Sequence, residues 1–101
     1  MKRYIKSSIE DNFRDSCLAI QDVIEQTYEN YSDYCSDDEM YRIADDRISD
    51  VCEPTSIDIW QSIKGYVESD YTVEDIYNMT SEQAANLFKL LYMVHSNDTN
   101  K

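Results

Sequence analysis

The sequence predicts an all-α fold, a small single-domain bundle of four to five short helices. Apolar residues recur at steps of three or four over long segments, and Ser or Thr followed three residues later by Glu, Asp or Gln marks candidate helix starts. A single Gly and a single Pro in 101 residues argue against a loop-rich fold. One modest core fits this length, and 42% apolar residues with nine Tyr, two Phe and one Trp are too many for a disordered acidic tail.

Ser7 and Glu10 have the form of a capping box, so the first helix is expected to begin there, leaving residues 1–7 as a flexible basic lead-in. Ile9, Phe13, Cys17, Ile20, Ile24, Tyr28 and Tyr31 then share one face. The opposite face receives Asp11, Asp15, Asp22, Glu25, Glu29 and Asp33, with Leu18 in its middle, where it is expected to bury nothing. Ser36 followed by Asp37, Asp38 and Glu39 reads as the cap of a second helix, with acids favoured in its first turn by the helix dipole. Met40, Ile43, Ala44, Ile48 and Val51 form its expected core face, and Asp38, Asp45, Asp46 and Glu53 cluster opposite. Pro54 ends it.

Thr55, Ser56 and Asp58 look like the next cap, followed by Ile59, Trp60, Ile63, Tyr66 and Val67 up to about Glu68. Thr72 with Asp75, and Thr80 with Gln83, bracket a short helical turn over 73–78 and a last helix over 81–95. In that last helix Leu87, Phe88, Leu90, Leu91, Tyr92, Met93 and Val94 cover nearly the whole circumference, which suits a central core helix or a dimer contact. Residues 96–101 form a polar tail, expected to fray.

Charge is the feature that points to function. Residues 10–58 hold fifteen of the twenty-one acids against three arginines, a local charge of −12 that equals the net charge of the chain. Such runs ordinarily just face water. Here, however, self-repulsion at this density opposes folding, and soluble surfaces normally mix signs at little cost. Steps of four residues also set successive carboxylates roughly 6 Å apart along a helix, on the scale of phosphates along a nucleic-acid strand. The expected partner is therefore a basic nucleic-acid-binding protein, with no direct nucleic acid and no membrane. The phosphate-imitating set is Asp11, Asp15, Asp22, Glu25, Glu29, Asp33, Asp37, Asp38, Asp45, Asp46 and Glu53. Tyr34, in the expected inter-helix loop, is a rigid contact of the kind enriched at interface hot spots.

Other chemistries fit poorly. A calcium loop starting at Asp33 would need Gly at its sixth position and Glu at its twelfth, where Asp38 and Ala44 stand. Cys17, Cys35, Cys52 and the lone His95 offer no closely spaced pair for zinc, and Gly65 alone makes no phosphate loop. No catalytic residue, metal site or cofactor is expected, and the chain reads as a binding protein rather than an enzyme. The odd, widely spaced cysteines and the basic start without an apolar run predict a reduced, cytoplasmic protein.

Ile43-Ala44-Asp45 through Asp50, Pro54 and Asp58-Ile59-Trp60 resembles a pattern in small acidic phage and plasmid anti-restriction proteins of the overcome-classical-restriction type. Asp58 arrives one residue early against that pattern, and Glu53 stands where an apolar residue is usual. The resemblance covers about twenty residues and carries no catalytic group. It implies a helical, often dimeric DNA mimic in the DNA-binding groove of a host defence protein, either a restriction enzyme or a CRISPR effector. Leu87, Leu90, Leu91 and Met93 are then the candidate dimer contact. The alternative reading is a small helical adaptor that binds its partner through the same apolar helix.

Overall fold

A computed structural model describes the backbone of residues 2–99 and the side chains of residues 11–95. Five helices follow one another: α1 (Lys2–Tyr31), α2 (Asp37–Val51), α3 (Pro54–Asp70), α4 (Val73–Tyr77) and α5 (Ser81–Thr99). The described residues contain no strand, so the all-α expectation holds. The longest dimension, 50 Å, is set by α1, since 30 helical residues span about 45 Å.

The caps that rest on local hydrogen bonds form as the sequence suggests. Ser36 and Glu39 make a reciprocal capping box at α2, and Thr72 with Asp75 does the same at α4. At the start of α5 the Gln83 amide donates to Thr80 Oγ1 at 3.1 Å, while the Thr80 amide donates to the Gln83 side chain at 3.0 Å. Three boundaries differ. The backbone is helical from Lys2, so residues 2–7 are not an irregular lead-in; they contain no Gly or Pro, and a cap motif starts a helix only where the preceding chain has left it. Helix α3 begins at Pro54 with Glu53 as N-cap, because proline's fixed φ and missing N–H suit the first helical position. Helix α5 continues to Thr99, through most of the tail expected to fray.

Helix α1, not α5, is the centre of the bundle, and it packs against each of the other four helices. Its covered arc runs from Val23 round to Gln21, about 160° at 100° per residue. That arc takes in Cys17, Ile20 and Ile24, and also the polar Ser16, Thr27 and Gln21. Burial of the last two is compensated, since Thr27 Oγ1 donates to the Val23 carbonyl at 2.9 Å and Gln21 Nε2 donates to Glu25 at 2.7 Å. Trp60, Ile63, Ile76 and Phe88 complete the core.

Several apolar residues sit elsewhere than expected. Leu18 packs partly buried against the core, because the helices flanking α1 reach past the edge of its apolar stripe. Val51 is exposed and Ile43 only half-buried, because α2 covers just the narrow stripe of Met40, Ala44 and Ile48. In α5 the buried side is Ala84, Ala85, Phe88 and Leu91, while Leu90 (59% exposed), Met93 (53%) and Val94 face outward. Side chains of residues 1–10, Ile9 among them, lie outside the described set.

Candidate acidic binding surface

Helix α1 positions the main row of carboxylates. Asp11, Asp15, Asp22 and Glu29 are exposed and Glu25 is half-buried among them. At 100° and 1.5 Å per residue they fall within an arc of about 80° and a length of about 27 Å. Crowding is felt at the centre. Partial burial first, then the charges of Asp22 and Glu29, raise the Glu25 carboxyl above its ordinary range, against the hydrogen bond from Gln21. Asp22 is itself tied along the helix, accepting from Gln26 Nε2 at 3.1 Å.

The turn between α2 and α3 brings Glu53 to this row. As N-cap of α3, Glu53 makes no side-chain cap hydrogen bond. It lines a groove of about 570 Å³ with Asp15, Asp22 and Cys52. Burial, then the charge of Asp22, raises the Cys52 thiol, and burial pushes the Cys17 thiol up to about 12. Both thiols therefore stay protonated near neutral pH and are poor nucleophiles.

A second group forms where α2 and α4 begin side by side. Asp37 Oδ1 accepts the Val73 amide at 3.2 Å across 36 residues of sequence. Burial, then the neighbouring Asp38 and Asp75, raises the Asp37 carboxyl. Tyr28 stacks on Tyr77 with ring centroids 4.3 Å apart, and its hydroxyl donates to Glu74 at 3.5 Å. Asp33 also bears on Tyr28, and Tyr34, 72% exposed, packs edge-on to Tyr31 at 5.8 Å. Glu74 and Asp75 thus belong to the acidic surface although the sequence reading did not select them. The Thr72–Asp75 cap was legible, but its meeting with Asp37 was not.

Two residues of the expected set are engaged inside the fold. Asp45 accepts the Trp60 indole N–H at 2.6 Å and pairs with Lys64 at 3.8 Å, which turns it into the α2–α3 seam. Asp37 serves the start of α4 as described. Asp38 and Asp46 stay exposed, and Glu53, Asp15 and Asp22 are brought together. Of the apolar set, Leu91 is only 8% exposed and belongs to the core, Leu87 is half-buried, and Leu90 and Met93 remain accessible.

Among the described residues Lys64 pairs with Asp45 at 3.8 Å, and no described Lys or Arg lies within 4 Å of the carboxylates on the outer side of α1. Among the described residues no His, Cys, Asp and Glu side chains group so as to hold a metal ion. Among the described residues no helix is long and apolar enough to cross a membrane. Compared with protein-family models, curated proteins and solved structures, the chain matches none of them.

Proposed function

We propose that this chain is an acidic nucleic-acid mimic that inhibits a host defence protein, a restriction enzyme or a CRISPR effector, by occupying its DNA- or RNA-binding cleft. On this reading it is encoded by a phage or mobile element, acts in the cytoplasm of the infected cell, and works by binding, without catalysis. One observation carries the reading: Asp11, Asp15, Asp22, Glu25 and Glu29 run along one side of α1 with Glu53 beside them, and none has a cation within 4 Å among the described residues. A cleft lined with Lys and Arg neutralises such a row as it does a phosphate strand, and the release of self-repulsion adds to the attraction.

The test is competition. The chain is expected to displace duplex DNA or guide RNA from its target, with inhibition falling steeply as salt rises. Reversing Asp22, Glu25 and Glu29 to Lys should abolish inhibition while circular dichroism shows the helices intact. Inhibition that survives this reversal would transfer the activity to the apolar side of α5, as a helical adaptor would have it.

A further inference from the structure

We propose that the groove of about 570 Å³ between α1 and the α2–α3 turn holds an arginine side chain of the basic partner, an inference that rests on the nucleic-acid-mimic reading for who that partner is. Asp15, Ser16, Ala19, Asp22 and Val23 form its α1 wall, within an arc of about 120° at 100° per residue. Val51, Glu53 and Ser56 face them from the turn. Ser16 is 9% exposed and Ser56 3%, and neither hydroxyl has a hydrogen-bond partner among the described residues. Neither oxygen is sealed in the core, so both open into the groove. Thr27 and Gln21, equally buried on α1, do have partners. Two unpartnered buried hydroxyls, one on each wall, mark a place where an incoming polar group supplies the missing bonds.

Charge and shape select the occupant. No Lys or Arg is among the residues lining the groove, whereas Asp15, Asp22 and Glu53 all are, so an anion is repelled. The first turn of α3, which no side chain caps, opposes a cation with only about half a charge, and three carboxylates outweigh it. A metal ion does not fit, because among the described residues no three carboxylate, thiol or imidazole groups gather to hold one. Asp15 and Asp22 stand two helical turns, about 10 Å, apart. Acceptors spread this widely suit a planar head with five N–H donors better than a compact ammonium. Exposed Val51, with Ala19 and Val23, gives the groove an apolar stretch along which the aliphatic stem lies.

Amide chemical shifts of the full chain, titrated with a blocked tripeptide carrying arginine between two glycines, test it. In about 0.15 M salt, which screens exposed charges more than about 8 Å apart, the shifts are expected to stay within residues 15–23 and 51–56. The lysine tripeptide and methylguanidinium, which lack the fork and the stem respectively, should each bind several-fold more weakly. Glu53→Gln should weaken arginine binding on the order of 10-fold and Ser56→Ala about 3-fold. The melting temperature of Ser56→Ala should hold, because no hydrogen bond among the described residues is lost. Asp46→Asn removes the same charge from outside the groove and should change binding by less than about 2-fold. Shifts spread over the whole acidic surface, equal binding of the lysine tripeptide, or equal effects of Glu53→Gln and Asp46→Asn would overturn the proposal. A groove that ignores arginine in a chain that still displaces nucleic acid from its target would strike this inference alone. A groove that takes arginine in a chain that displaces nothing would strike the mimic reading instead.

Discussion

The outer sides of α1 and α5 both lack a neighbouring helix, and they differ in what an uncovered side costs. On α1 the uncovered residues are mostly exposed carboxylates that repel one another, and half-buried Glu25 among them has its carboxyl raised first by burial and then by the charges of Asp22 and Glu29. On α5 they are Leu90, Met93 and Val94, which water solvates poorly. One side is relieved by cations and weakened by salt, the other by apolar contact and strengthened by salt. The two surfaces therefore suit different partners, and ionic strength separates them.

Paired substitutions sharpen this contrast, and the largest effect is expected within α5 itself. Leu91→Ala removes a buried side chain and should lower stability by about 3 kcal/mol in urea unfolding, whereas Leu90→Ala, one residue earlier, should stay within about 0.5 kcal/mol. Equal effects would mean that the helix is rotated. On the acidic side Asp45→Ala leaves the fully buried Trp60 indole without its acceptor and should cost about 2 kcal/mol. Asp46→Ala, on the exposed back of α2, should be neutral or slightly stabilising by removing one repelling charge. Gly65→Ala is expected to gain about 0.5–1 kcal/mol, since Gly65 lies inside α3 and an added Cβ would meet nothing within 4 Å.

The smallest effect is one of pH. Glu25 and Asp37 both have folded-state carboxyls raised above their ordinary values, so between the ordinary and raised values the folded chain holds more protons than the unfolded one. Their contribution to stability therefore grows as pH falls from neutrality into the upper carboxylate range, and is lost as pH rises back through the raised values. Thermal melts should show a rise on mild acidification that Glu25→Gln makes shallower. A steady fall in melting temperature over the same range would show that the burial and crowding of these two carboxyls do not limit the fold.

Features that depend on residues within four positions of one another were legible in the sequence. The Ser36–Glu39, Thr72–Asp75 and Thr80–Gln83 caps form, and Asp11, Asp15, Asp22, Glu25 and Glu29 share a side, because helical hydrogen bonds and the 100° step are local. The start of α1 was misread for a related reason: Ser7 and Glu10 match a cap, but a cap acts only where the chain before it is not already helical.

What periodicity does not contain is how many neighbours cover each helix. Four helices pack against α1, so its buried arc widens to take in Ser16, Gln21 and Thr27 and to draw Leu18 partly in. Helix α2 is covered over a narrow stripe, so Val51 is left exposed. For α5, apolar nearly all round, the sequence determined only that some part must be buried, and packing against α1 and α3 chose Leu91 over Leu90. Among the acids, charge and helical side were properties of the chain alone. Tertiary structure decided which of them act inside the fold, because a buried indole N–H at Trp60 and the first amide of α4 needed acceptors, and Asp45 and Asp37 were the carboxylates within reach.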